Sequence, residues 1–283
     1  MARVHSWTWT IQSRRVTLDC AMVECVTRAF GGGNEAREKS RICGLINPAN
    51  AGLLGTRLAY FPKGGPVPRP PPSSVGTNSW GGMEAGAGML YPSQVVDGVV
   101  TALGGRALRA QLDAIPEDGV DEVGQPMRCA VGEAVVTTQR VRLAAFDTIA
   151  HTVPPFWPSS SSSSSNDSEE WARSIGSCYT ASVRALLRAA PSSRGAMWVA
   201  SPLLGAGARG APIEAAAKAA AAAIGAVVEY EIAIESPQTD DFRFQFAVRE
   251  GKVFNILCDA LNHEVESRAR LRSHAVVAVV EDG

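Results

Sequence analysis

The chain has no charge bias. Its 283 residues carry 27 Lys and Arg against 28 Asp and Glu, a formal net charge of −1. Without an excess of positive charge it cannot hold nucleic acid by bulk electrostatics, so no sequence-specific nucleic-acid partner is expected. Any anion site must be built locally. No apolar run is long enough to span a bilayer, and no membrane association is expected. The first residues lack the apolar core of a secretion signal. They do carry Arg3, Arg14 and Arg15 ahead of the first acid, Asp19, which leaves a transit peptide open. The six cysteines, at 20, 25, 43, 129, 178 and 258, contain no C-x-x-C and no zinc-like pairing with the four histidines. No metal and no cofactor is therefore expected. Reduced thiols in a cytoplasmic or nuclear protein are the simplest reading.

What is present begins with an uncharged run at 196–200. It feeds a loop with glycines at 205, 207 and 210, and an alanine-rich helix is expected from 212 to 224. Strand, glycine loop and helix in that order can cradle a phosphate. Glycine lets the backbone approach closely, and the first N–H groups of a helix have no partner within it. Pro212 fits a first helical position. The same layout also serves as an ordinary strand-to-helix turn.

Further strands are expected at 43–47, 133–137, 146–151, 242–248 and 273–280. The alternation at 242–248 predicts a half-buried strand. Helical spacing of Ile175, Tyr179, Val183, Leu186 and Leu187 predicts a helix over 171–189, and 253–268 has a helical pattern. Strands and helices that take turns predict an α/β fold, a three-layer α/β/α sandwich with a mixed, largely parallel sheet. Ligands in such folds sit beyond the carboxyl ends of the strands. The chain is expected to form a single domain over 1–283. Two insertions interrupt it, at about 60–79 (proline-rich) and 154–167 (with serines at 159–165), and 159–167 is expected to be disordered. A third polar stretch, 116–126, is acidic.

The order of several short motifs is similar to that of the macrodomain family. Residues 44–55 (GLINPANAGLLG) resemble its strand ending in Asn-x-x-Asn, and 96–100 (VDGVV) its Val-Asp-Gly helix start. Residues 132–137 (GEAVVT) and 148–154 (TIAHTVP) resemble two further strands. Residues 177–179 (SCY) resemble a helix start, and 201–217 the second glycine loop and its helix. The resemblance is strongest over 23–263. It implies binding of ADP-ribose or ADP-ribosylated proteins. It also implies hydrolysis of a terminal ADP-ribosyl ester or of O-acetyl-ADP-ribose, or else a non-catalytic reader of ADP-ribosylated proteins; a scaffold with a lost pocket is a third reading. Carried over by position, Asn50 contacts the distal ribose and Asp97 places a water near the scissile bond, as the catalytic pair. Asn47 lies at the strand end. Gly205, Ala206, Gly207, Ala208, Arg209 and Gly210 surround the diphosphate, and Phe254 lies toward the adenosine.

The chain departs from the family in several places. The glycines before Val-Asp-Gly stand at 80–88, seven residues further off. Thr101 replaces a histidine, Cys25 stands where an adenine-binding Asp is usual, and Arg209 replaces an aromatic. Each site residue also has a plainer reading. Asn50 can cap its own turn, Asp97 can cap the following helix, and Arg209 can be a surface arginine. His151 lies in an apolar strand and reads as a core histidine. Trp80 is open between stacking on a ring and core or interface packing, and Glu84 between a second acid and a solvated loop residue.

Overall fold

Aromatic and β-branched residues alternate with polar ones from the fourth residue onward, a strand signal at the start of the chain. In the computed structural model this segment is indeed a strand. The structure describes residues 3–11, 14–32, 41–56, 61–63, 89–120, 126–138, 143, 146–158, 165–190, 195–229, 239–271 and 278–282. The elements up to the first long helix are β1 (Val4–Ile11), β2 (Arg14–Met22), β3 (Arg41–Pro48), the short pair β4 (Phe61–Pro62) and β5 (Met89–Leu90), and α1 (Val96–Asp113). Then come β6 (Ala134–Thr138), β7 (Thr148–Thr152), α2 (Ser165–Ala189), β8 (Gly195–Ser201) and α3 (Ile213–Val227). The chain closes with β9 (Thr239–Val248), α4 (Gly251–Leu271) and β10 (Ala278–Asp282).

Among the described residues eight strands form one sheet in the order β10-β1-β2-β9-β8-β3-β7-β6. The five strands from β2 to β7 run parallel, and β10, β1 and β6 pair antiparallel at the two sides. Helices α2, α3 and α4 cover one face through a core that includes Ile175, Tyr179, Val183, Phe242, Phe244 and Phe246. The other face is covered by α1 and the 3-10 turn Val26–Gly32, around Val100, Leu108, Leu45, Ile149 and Trp198. This is the expected three-layer α/β/α sandwich with a mixed, largely parallel sheet.

Some expectations need correction. The strand 242–248 is buried on both faces rather than half-buried, because β9 is central and both faces carry helices. Its polar residues are accommodated individually. Arg243 pairs with buried Asp19 and lies over Trp198 at 4.7 Å, and Gln245 accepts the Phe30 N–H at 2.9 Å. The segment read as a possible transit peptide is built into the sheet, with β1 paired on both sides and Trp7 buried, its Nε1 donating to Asn262 at 2.8 Å. Pro212 is the N-cap of α3, with ψ 140°, and not its first helical residue. Of the segment 159–167, residues 165–167 form the first turn of α2, and the rest lies outside the described residues. The final strand starts at Ala278; residues 272–277 also lie outside. Of the proline-rich insertion only 61–63 is described, and Trp80 and Glu84 fall outside.

No helix among the described residues is long and apolar enough to cross a membrane. The described residues also hold no cluster of three or more His, Cys, Asp or Glu that could bind a metal.

Candidate functional site

Parallel strands β3, β7 and β8 end on the same side of the sheet, so the segments that follow them meet there. The segment after β3 is a tight loop. Asn50 Oδ1 accepts from Leu54 N at 3.0 Å and Asn50 Nδ2 donates to Gly55 O at 3.0 Å. Both polar atoms of Asn50 therefore hold its own turn. Three arginines from elsewhere hold the loop carbonyls. Arg209 Nη2 donates to Ala49 O at 3.0 Å, Arg128 Nη1 to Gly52 O at 3.3 Å and Arg109 Nη1 to Leu53 O at 2.6 Å. Such a loop is held in one shape by donors that water would otherwise replace.

Asp97 stands in the first turn of α1. The N-cap is Val95, with no side-chain cap bond, so Asp97 does not occupy the cap position. Its carboxylate instead accepts from Asn47 Nδ2 at 2.9 Å on Oδ1 and from Thr56 Oγ1 at 3.2 Å on Oδ2. Burial pushes the Asp97 carboxyl above the usual range. Asn47, Thr56, Arg209 and Arg109 each oppose that rise.

Behind Asn47 the polar chain continues into the core. Asn47 Nδ2 lies 3.1 Å from His151 Nδ1, and His151 Nε2 lies 2.9 Å from Thr137 Oγ1. His151 is a core histidine with both ring nitrogens partnered, and burial, with Arg109 adding, pushes its pKa down to about 3. A histidine held neutral in the fold and protonated when unfolded couples stability to pH. The unfolded chain takes up the proton first, so stability is full above about 6.5 and falls as pH drops toward about 3, by about 1.4 kcal/mol for each pH unit in that window. Denaturant unfolding at pH 7 and pH 5 should therefore show a smaller acid loss for His151→Asn than for the wild type.

The loop after β8 is anchored by Tyr179, whose hydroxyl accepts from Leu204 N at 3.0 Å. Within it, Gly210 N donates to Gly207 O at 3.1 Å and Ala211 N to Gly205 O at 3.0 Å. Its glycines differ in purpose. Gly205 has φ +86°, and a Cβ there would come within 2.6 Å of the Trp171 ring. A Cβ at Gly207 would meet nothing within 4 Å. Gly205 is thus needed for packing against α2, whereas Gly207 faces open space. Gly205→Val should cost about 3 kcal/mol, from the positive φ and the overpacking together, and chemical denaturation would read it.

Arg209 connects the parts. Its guanidinium lies over the Phe156 ring at 4.2 Å and reaches the Ala49 carbonyl, so the segments after β3, β7 and β8 share one cation. Burial lowers its pKa to about 10, and Asp97 pulls it upward. The structure thus brings Asn47, Asp97, Arg209 and the 205–210 loop together, with Asn50 alongside in its turn. Phe254 lies in the first turn of α4, just past the carboxyl end of β9; its side chain is buried, with Arg3 over its ring at 4.7 Å. The Cys25 segment places no carboxylate in the core, since Glu24 pairs with Arg28 at the surface. Sequence reasoning missed Thr56, Arg109 and Arg128. Thr56 directly follows the recognised motif and was open to notice. The two arginines reach the loop from 56 and 76 positions away, with no local pattern to mark them.

Comparison with known proteins agrees with this geometry. The family model described as Macro domain matches residues 85–220, which include Asp97 and the 205–210 loop. Among solved structures, the Oceanobacillus iheyensis macrodomain with ADP superposes with a TM-score of 0.54 at 16% identity, covering 93% of this chain and 98% of that one. The same macrodomain with MES bound gives 0.54 at 17%, covering 93% and 99%. A mutant of it with ADPR gives 0.51 at 18%, covering 92% and 99%. No curated protein matches the chain. The Macro domain model thus spans Asp97 and the glycine loop, and the chain has the macrodomain fold over nearly all of its length.

Proposed function

We propose that the protein binds ADP-ribose between the loop 47–56 and the loop 203–210, and hydrolyses terminal ADP-ribosyl esters or O-acetyl-ADP-ribose there. The observation that carries this reading is the position of Asp97. It is a partly buried carboxylate that feels the charge of Arg209, where the segments after β3 and β8 meet. The ligand class comes from the ADP and ADPR held by the Oceanobacillus iheyensis macrodomain.

The chemistry asked of the site is modest. A diphosphate needs donors at short range and positive charge. Gly207 leaves room beside the backbone, and Arg209 supplies the cation. Ester hydrolysis needs one water held near the anomeric carbon or the acyl carbon. Asp97 can accept a hydrogen bond from that water and stabilise positive charge that develops at the sugar. The C–O bond breaks, water supplies the hydroxyl, and the products are ADP-ribose and a free acid. Orientation and electrostatics carry such a step, in which Asn50 and Asp97 act together on the distal ribose and the water.

One observation favours the second reading, a reader that binds without turnover. Both polar atoms of Asn50 are engaged within its own loop, and both oxygens of Asp97 already accept hydrogen bonds. Incubation with a protein carrying ester-linked ADP-ribose separates the two. Release of free ADP-ribose that scales with protein concentration supports the hydrolase. Tight binding with no release over hours supports the reader and rejects the hydrolase.

A further inference from the structure

The buried polar chain behind Asp97 has a direction. Asn47 and His151 are each 1% exposed and Thr137 is 3% exposed, so water does not compete for their bonds. An amide nitrogen can only donate. Asn47 Nδ2 faces Asp97 Oδ1 at 2.9 Å and His151 Nδ1 at 3.1 Å, which uses both of its hydrogens. His151 Nδ1 must then be an acceptor, which places the ring's proton on Nε2. From there it is donated to Thr137 Oγ1 at 2.9 Å. Asn47 Oδ1 is buried and has no hydrogen-bond partner among the described residues. Local hydrogen bonding of the oxygen therefore does not set the amide orientation; the two acceptors on the nitrogen side do. Were the amide turned over, its oxygen would face both the carboxylate and the Nδ1 lone pair.

We infer that His151, with Thr137 behind it, is a positioning residue: it locks the Asn47 amide nitrogen toward Asp97 and so holds that carboxylate in its ionised, accepting form. The role concerns orientation and not proton transfer, since a ring kept neutral by burial does not exchange charge at neutral pH. The other groups that act on the pair are known. Asp97 faces Thr56 on its second oxygen and feels Arg209 and Arg109, both of which favour its ionised form. His151 feels Arg109, which favours its neutral form. Neither arginine would be altered by changing His151. The consequence for catalysis rests on the function proposed above, but the inference itself concerns the ligand-free protein.

The test is therefore made without ligand. Titration of the Asp97 carboxyl carbon by NMR, in protein labelled at aspartate and with Asp97→Asn used for assignment, reads the effect directly. His151→Leu removes the acceptor and frees the amide to turn. Its Asp97 should titrate about one pH unit higher than in the wild type. His151→Asn keeps an acceptor oxygen near the Nδ1 position and should return the titration to within a few tenths of a unit. Thr137→Val removes the partner of Nε2 and should shift the carboxyl in the same direction as His151→Leu, which keeps the test open if His151→Leu fails to fold. Equal titration of Asp97 in wild type, His151→Leu and Thr137→Val would overturn the inference. So would a rise in His151→Leu that His151→Asn does not reverse, since packing alone would then explain it. Failure of the wild type to bind ADP-ribose would reject the functional proposal and leave this result standing.

Discussion

Gly207→Glu should weaken ADP-ribose binding by about 30-fold or more and leave the melting temperature within a few degrees of the wild type. The side chain has room, since a Cβ at 207 would meet nothing within 4 Å, in contrast to Gly205 with the Trp171 ring 2.6 Å away. The new carboxylate would stand where the diphosphate is proposed to lie. Two unit charges 4 Å apart interact by about 4 kcal/mol at an effective dielectric near 20, and half of that after solvent screening is still about 30-fold in affinity. Calorimetry beside thermal unfolding checks both halves of the expectation. Unchanged affinity in a folded variant would move the diphosphate away from this loop.

Asp97→Ala should reduce release of ADP-ribose from an ester-linked substrate by about 100-fold or more, the usual scale for a positioned acid–base or charge-stabilising group. A rate loss alone does not separate chemistry from damage to the fold, so Asp97→Asn is the companion variant. Burial raises the Asp97 pKa in the fold, so over that window the native state holds more protons than the unfolded chain. Stability then falls as pH rises through the window, and the ionised carboxylate carries the cost at neutral pH. Asp97→Asn removes that charge. Its melting temperature at pH 7 should equal or exceed the wild type's, with the difference shrinking toward pH 4, while its turnover is lost. An inactive but more stable variant is the pattern expected of a group kept for function against stability. Wild-type activity in Asp97→Ala would show that another group performs the chemistry.

The elements most legible in the sequence were those with one dominant local signal. The uncharged run at 196–200 and the helical spacing from Ile175 to Leu187 lie in β8 and α2. The glycine loop after β8 was legible for the same reason. The β1–β2 hairpin carries only a short period-2 signal, Trp7 and Trp9 alternating with threonines, beside arginines that also fit a transit peptide. The burial of β9 on both faces was not legible. Arg243 reads as a solvent-facing residue until Asp19, 224 positions earlier, is brought beside it. The site shows the same division. Asn47 and Asp97 are marked by motif, but the bond between them spans 50 positions, and the arginines that fix the loop carbonyls reach over 56, 76 and 160 positions. The Asn50 motif fits both a ribose contact and a turn cap, and in this structure its side chain holds the turn. Motifs name residues, whereas the partners that set their charge and orientation come from topology.

The central claim is that the segments after β3 and β8 form an ADP-ribose site around Asp97 and Arg209. Calorimetric titration of the folded wild-type protein with ADP-ribose tests it most directly. The account predicts one saturable site, weakened at least about tenfold by Arg209→Ala through loss of a charge-assisted contact. No detectable heat at millimolar ADP-ribose, with the protein shown to be folded by its thermal transition, would contradict it.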